Sequence, residues 1–421
     1  MIRTHIIDCK LNRTIADSLN LESGRIYSQV LVTHWRALRR NRHWLSHFGA
    51  TKLNDWYNRD TPKKLYAHTI DAAQNAFYAA CKTAQALKKI DPRHKYPHWT
   101  KKFRTTTWFG TALKHEGDLL TLSNGKGNAK IQIALANQAC LKVLEVRLVF
   151  DKKSRRYSWH IVVENGKQPK VASGTNVVSV DPGEIHPAVV GDEHSSTVLT
   201  CRDRRAAQRG HAKNLKGFSK SLSRKTKGSR RYKKLLRSKS RCKGKFRRVM
   251  RDIEHKVSRA IVDEAVARQA DTIVYGDIRD LADGVDCGKE HNQRTSQWNH
   301  GKVRALVEYK AEAEGIKVVL QDEHYTSKTC PNCGHRHKPK APRGYPKFRC
   351  PACKFQSHRD VVGQINILSA YKFGVPGKIP APTEIKYRIP RNTRVLRKWA
   401  DTPQVVLLPV AWHNSAQLAL F

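Results

Sequence analysis

The sequence predicts a multidomain α/β protein, and three observations carry that expectation. Its 421 residues allow two to four domains at roughly 100–200 residues each. A hydrophobic content of 39%, with 9 Trp, 13 Tyr and 11 Phe, supplies the apolar surface that a core needs and a disordered polycation lacks. From Asn176 onward, short apolar runs alternate with helical patterns in the order strand, helical hairpin, strand, helix, strand, helix, with a cysteine-rich module set in before the last helix.

Residues 1–170 read as a helical insert beside a small β-barrel. Between Leu65 and Leu87, the residues Ile70, Ala73, Phe77, Ala80 and Ala84 recur at helical spacing and make one apolar face. The segments LLTLSN, KIQIALA, LKVLEVRLVFD and RRYSWHIVVEN alternate or run apolar, are rich in β-branched and aromatic residues, and are separated by turn residues. They predict strands of a barrel or sheet.

A second region follows the polar linker GKQPKVASGT. Asn176–Val180 is a short apolar run of the kind buried on both faces, and it ends in Asp181-Pro182-Gly183, which puts a carboxylate at the strand's C-terminal edge. Residues 201–251 hold 22 Lys/Arg and one acid, Asp203, a net charge of +21. Leu215, Phe218, Leu222, Tyr232, Leu235, Leu236 and Phe246 are interleaved there, which predicts a basic helical hairpin lying on phosphates. Its second arm continues at helical spacing through Ile253, Val257, Ala260, Ile261 and Ala265 to the strand DTIVYGD. Residues 282–296 have the composition of a mobile loop that can act as a lid. A helix over about 298–314 ends at Gly315, a strand covers 316–320, and a last helix opens at His358-Arg359-Asp360.

The whole chain carries 80 Lys+Arg against 35 Asp+Glu, a net charge of +45. Self-repulsion on that scale calls for a polyanionic partner, and nucleic acid fits better than a membrane surface. No apolar run approaches the roughly 18 residues needed to span a bilayer, and MIRTHIIDCKLNRT lacks the apolar stretch of a signal peptide, so an intracellular protein is expected. Six of the ten cysteines are scattered singly. Cys330, Cys333, Cys350 and Cys353 form C-x2-C-x16-C-x2-C, the spacing that sets four thiolates around one structural Zn ion and leaves no open position for catalysis.

Acids at Asp181, Asp277, Asp322, Glu323 and Asp360 stand at element ends, where a sheet edge can gather them. Any one alone reads as a cap or a solvated loop acid; together, beside a basic groove, they suit phosphodiester hydrolysis with two Mg ions. The segments SVDPG, KGSRRYKKLLRSKSR, IEHKVSRAIVDEA, YKAEAEGIKVV, YTSKTCPNCG and FRCPACKFQSHRDVVGQINIL, in this order, resemble the TnpB (OrfB zinc-ribbon) proteins of bacterial transposons, relatives of the compact type V CRISPR effectors. The likeness is specific over 176–371, with weaker echoes in LYAHTIDAAQNAFYAA and KYPHWTKK.

That resemblance implies a prokaryotic cytoplasmic enzyme with an RNase H-like RuvC nuclease domain. A guide RNA from its own locus would direct it to double-stranded DNA beside a short motif. The implied layout is a wedge/recognition region over 1–170, the nuclease over 171–325 with the hairpin 201–251, a target-binding zinc ribbon over 326–357, the last nuclease segment over 358–372 and a tail over 373–421. Two catalytic aspartates of the family fall on Asp181 and Asp360. The glutamate expected after the second strand is Gly276, which cannot bind a metal, whereas Glu323 stands where the family lacks an acid. Glu323 is the favoured replacement. Asp277 is weaker because alternation turns it to the opposite face, and a nuclease-inactive chain is the third reading. Arg359 can touch a phosphate, His255 a backbone or RNA group, His358 either the metals or a structural partner, and Trp298 reads as core packing ahead of base stacking. The rival functions are an RNA-guided DNA-binding repressor of the same fold, a small type V CRISPR effector, and a guide-free zinc-ribbon protein.

Overall fold

The structure, a computed structural model, describes residues 2–57, 64–125, 127–135, 142–164, 166, 168–278, 288, 292, 300–337 and 347–390. The chain divides into two compact units, Met1–Lys167 and Gln168–Phe421.

The first unit combines helices with two antiparallel sheets. β1 (Ile2–Asp8) leads into α1 (Arg13–Asn41), whose first turn is capped by Asn12 Oδ1 accepting from the Thr14 amide at 2.8 Å. α2 (His47–Tyr57) and α3 (Ala67–Ile90) follow, the latter where the apolar face over 65–87 predicts it. β2 (Thr106–Phe109), β3 (Leu113–Glu116), β4 (Leu119–Leu122), β5 (Ile131–Ala134), β6 (Lys142–Asp151) and β7 (Arg156–Glu164) form one sheet of order β1-β7-β6-β2 and another of order β3-β4-β5. Trp108, Trp159, Leu120, Leu148 and Ile161 from both sheets share one core with Ala16 and Leu19 of α1 and Ala73 of α3. Burying side chains of that size stabilises by about 1.5–3 kcal/mol each. The sequence patterns leave α1 and β1 unmarked: 29 residues of helix rest on scattered small and apolar positions among basic ones.

The second unit is built on a six-stranded sheet. β8 (Asn176–Asp181), β9 (Ala188–Gly191) and β10 (Ser195–Leu199) form an antiparallel meander. The basic hairpin, α4 (Arg202–Ser223) and α5 (Arg230–Ala267), then carries the chain to β11 (Ala270–Asp277), parallel to β8. α6 (His300–Ala313) leads to β12 (Lys317–Asp322), parallel to β11. The ribbon strands β13 (Lys347–Arg349) and β14 (Gln356–His358) pair with each other, α7 (Arg359–Phe373) follows, and β15 (Glu384–Arg388) closes the order β12-β11-β8-β9-β10-β15 by pairing in parallel with β10. Residues 384–388, which no sequence pattern marks, are thus part of this sheet. The described residues do not include Trp298, most of 282–296, or 391–421.

Alternation along β8 gives the sheet two faces. Val178 and Val180 pack with Val257 and Ile261 of α5 and Val307 and Ala311 of α6. Ser179 faces the other way, where its hydroxyl donates to the Gln364 carbonyl of α7 at 2.8 Å. The Gln364 amide in turn donates to Ser179 Oγ at 2.6 Å, while Gln364 Oε1 accepts from Ser196 Oγ at 2.6 Å. This satisfied polar network anchors α7 across β8 and β10.

Candidate active site and zinc ribbon

The face of the sheet that carries α7 also carries the acids. Asp181 is two residues beyond Ser179 and so shares its face. The register Tyr275↔Val180 sets Gly276 beside Asp181, and Gly276↔Gln321 followed by Asp277↔Asp322 brings the chain of β12 to Glu323 on that same side. Asp360 lies in the first turn of α7, where the helix N-terminus favours a carboxylate.

Two glycines make room for this arrangement. A Cβ on Gly276 would collide with Glu323 Oε1, lie 2.8 Å from Glu323 Cδ and meet Ile367 Cδ1 at 3.0 Å. The Glu323 carboxylate thus fills the space that a side chain at 276 would take. A Cβ on Gly363, one turn into α7, would stand 2.5 Å from Asp181 Oδ2, so only glycine lets the helix pass this close to the acid. Tyr275 and Asp277 alternate to the opposite face: Tyr275 joins the α5–α6 core, and Asp277 bears electrostatically on His300 at the start of α6.

The electrostatics are those of a crowded anionic pocket. Burial raises the Asp181 pKa well above the usual carboxylate range, and the negative charges of Glu323 and Asp360 push it the same way, while Arg359 opposes them. Burial, with Asp277 and Asp322 nearby, pushes Glu323 up to about 8. Its Oε1 is shielded from solvent with no hydrogen-bond partner among the described residues. An orphaned carboxylate oxygen among mutually repelling acids is what a divalent cation relieves, so Asp181, Glu323 and Asp360 fit Mg ions on hard oxygen ligands.

His186, in the turn after β8, is the residue that sequence reasoning missed. One ligand atom from each of His186, His358 and Asp360 lies within 4.8 Å of the others. Burial holds the His358 imidazole below its ordinary pKa. His255, by contrast, is held by its backbone: its carbonyl accepts from the buried Lys310 ammonium at 2.6 Å.

The four cysteines converge as their spacing predicts. Cys330 Sγ lies 3.7 Å from Cys353 Sγ, and Cys333 Sγ 3.6 Å from Cys350 Sγ. A tetrahedron with Zn–S bonds of about 2.3 Å has edges of about 3.8 Å, so the thiols fit a structural zinc and stand too far apart for disulfides. Without a cation, burial pushes the Cys330 thiol up to about 12. The ribbon core of Cys330, Cys350 and Phe348 includes Val362 of α7. Asn366 Nδ2 donates to the Thr326 and Thr329 carbonyls at 2.7 and 2.8 Å, so ribbon and helix share one buried seam.

Residues 160–282 match the OrfB/IS605 family described as a probable transposase, and residues 300–367 match the Cas12f1-like TNB domain family. A TnpB-like protein of Methanocaldococcus jannaschii is 30% identical over 125 residues, 30% of this chain and 44% of that protein. A CRISPR-associated endodeoxyribonuclease Cas12f1 of Sulfoacidibacillus thermotolerans is 33% identical over 113 residues, 27% of this chain and 25% of that one. Two segments of the chain are thus similar, one to TnpB-type and the other to Cas12f-type proteins.

Among solved structures, the Cas12f1 chain of a complex with guide RNA and target DNA superposes with a TM-score of 0.61 at 12% identity, covering 85% of this chain and 83% of that one, which establishes a shared fold. The sequence matches span less than half the length of either relative. The TnpB-type match at 160–282 contains Asp181, the hairpin and Gly276; the Cas12f-type match at 300–367 contains Glu323, the four cysteines and Asp360. The two halves of the carboxylate cluster therefore come from two separately matched segments. No helix among the described residues is long and apolar enough to cross a membrane.

Proposed function

We propose that this chain is an RNA-guided double-stranded DNA endonuclease of TnpB type, hydrolysing phosphodiesters at Asp181, Glu323 and Asp360 beside a short adjacent motif. The observation that carries it is the Glu323 carboxylate lying in the space vacated at Gly276, next to Asp181. A three-stranded antiparallel meander flanked by two parallel strands, β10-β9-β8-β11-β12, is the order of an RNase H-like RuvC nuclease, and it supports assigning 171–325 and 358–372 to that domain.

Magnesium, when bound, supplies an activated water and charge stabilisation for the leaving 3′ oxygen. The chain's own residues do the rest. Asp181 feels the charge of both other acids, Glu323 reaches in from the end of β12, and Asp360 is presented by the first turn of α7. The hairpin 201–251 and region 1–170, as a β-barrel wedge with a helical bundle, hold guide RNA and the guide–target duplex through phosphates, and base pairing supplies the sequence. The ribbon 326–357, with its zinc on Cys330, Cys333, Cys350 and Cys353, lies against target nucleic acid.

Plasmid cleavage with Mg, using protein purified with RNA from its own locus, tests this. Glu323→Ala abolishes cutting and Asp277→Ala does not. Cutting by Glu323→Ala at the wild-type rate overturns the site; guided binding without cutting by the wild type leaves a DNA-binding protein.

A further inference from the structure

His186, His358 and Asp360 reach one point from three places in the fold: the turn after β8, the end of β14 and the first turn of α7. The two rings meet edge to face with centroids 5.4 Å apart. His358 Nδ1 accepts the Asp360 backbone amide at 3.3 Å, beyond the usual range for such a bond. The Nδ1 lone pair therefore points into the first turn of the helix, at the backbone amide of Asp360, in a contact weak enough for a cation to displace. Magnesium takes oxygen ligands almost exclusively, whereas imidazole favours first-row transition cations. Two imidazoles beside a carboxylate are a donor set that magnesium alone does not call for.

We infer that His186 and His358 join Asp360 as nitrogen ligands of a first-row divalent cation, so that the Asp360 side of the carboxylate pocket takes a transition metal in preference to magnesium. The inference rests on the nuclease reading for one point, that Asp360 is a metal ligand. The three groups supply two nitrogens and at least one oxygen, and the open positions of a six-coordinate ion fall to water or a phosphate oxygen. In the opposing arrangement the imidazoles touch Asp360 through hydrogen bonds alone and no metal–nitrogen bond forms.

Manganese titration of the full-length, zinc-loaded protein distinguishes the two, with binding read by electron paramagnetic resonance and nitrogen ligation by electron spin echo modulation. The wild type shows nitrogen-14 coupling to bound Mn and keeps its Mn against an equal concentration of Mg. The double variant His186→Gln/His358→Asn loses that coupling, and its Kd for Mn rises by about tenfold. Asparagine keeps a cap acceptor at position 358, so an unchanged zinc content and Tm show that α7 still starts correctly. Absence of nitrogen coupling in the wild type, or equal Mn affinity in the double variant, overturns the inference. Cleavage is read separately: a wild type that shows the coupling but never cuts DNA keeps this site and loses the nuclease reading, and one that cuts without the coupling does the reverse.

Discussion

The zinc ribbon and the carboxylate edge are both ligand clusters in the second unit, yet they are made in opposite ways. The ribbon takes its four thiols from one short stretch, Cys330 to Cys353, on two turns joined by local backbone bonds such as Cys330 N to His335 O at 2.9 Å. The edge takes its acids from Asp181, Glu323 and Asp360, and only the sheet register and the docking of α7 bring them together. A locally built site can be read from spacing. A site assembled by topology can lose a residue on one strand and regain it on the next, provided that the two strands are neighbours.

The sharpest test of that difference exchanges the two positions. Glu323→Ala lowers the cleavage rate by about a thousandfold, since a lost metal ligand removes several kcal/mol of transition-state stabilisation. Gly276→Glu alone is also inactive, because its side chain would enter the space that Glu323 occupies. The double variant Gly276→Glu/Glu323→Ala recovers cleavage well above either single variant in a plasmid assay. If the double variant is no better than Glu323→Ala, the two positions do not share one site.

Disrupting the ribbon tests whether the two sites are independent. Structural zinc contributes about 10–16 kcal/mol of binding free energy in small modules, so Cys350→Ser or chelation unfolds the ribbon. Val362 and Asn366 belong to both the ribbon seam and α7. Loss of zinc therefore loosens the helix that presents Asp360, and cleavage falls together with target binding. Proteolysis reads this as new cuts within 326–357 followed by cuts near 373, while β8–β11 stay protected.

What could be read from the sequence follows the same division. The CxxC pairs, the +21 hairpin and the apolar run ending at Asp181 are local patterns. Glu323 could be suspected only because Gly276 breaks the family pattern, and the backbone register supplies the reason that its carboxylate reaches the space beside Gly276. His186 carries no local signal: a lone histidine in a turn has meaning only once α7 sets His358 and Asp360 beside it. β9 and β10 are runs of only four and five residues, AVVG and SSTVL, joined by a polar turn, and β15 consists of five residues, EIKYR, whose strand character comes from pairing with β10. The long α1 was hidden by its own charge, with Arg25, Arg36, Arg39 and Arg40 among the apolar residues that face the core.

The edge also differs from the ribbon in its response to pH. Glu323 has its folded-state pKa raised to about 8 from an ordinary 4.5, by burial first and then by Asp277 and Asp322. A raised carboxyl favours the protonated folded state, so its contribution to stability is full below about pH 4.5 and is lost as pH rises through 8. In Mg-free buffer the Tm falls by on the order of a few degrees between pH 6 and 9. Glu323→Gln, neutral at every pH, flattens that dependence, and added Mg restores the Tm at pH 9. A Tm–pH profile unchanged by Glu323→Gln removes this group as the cause.

The smallest effect belongs to the hairpin, where function is spread over many exposed charges. Lys233 and Lys234 stand on the exposed side of α5, and the two arms are held together by contacts elsewhere, among them the His211 ring stacked on Phe246 at 4.0 Å. Each lysine on a phosphate releases counterions, so each Lys→Ala change lowers the slope of log K against log salt by about 0.7–0.9. The loss is equal for any RNA sequence, because phosphates carry no sequence information. RNA titrations at several salt concentrations read this directly. A slope that stays put, or a loss confined to one RNA, would place the guide off this face and leave its charge as a solvated surface.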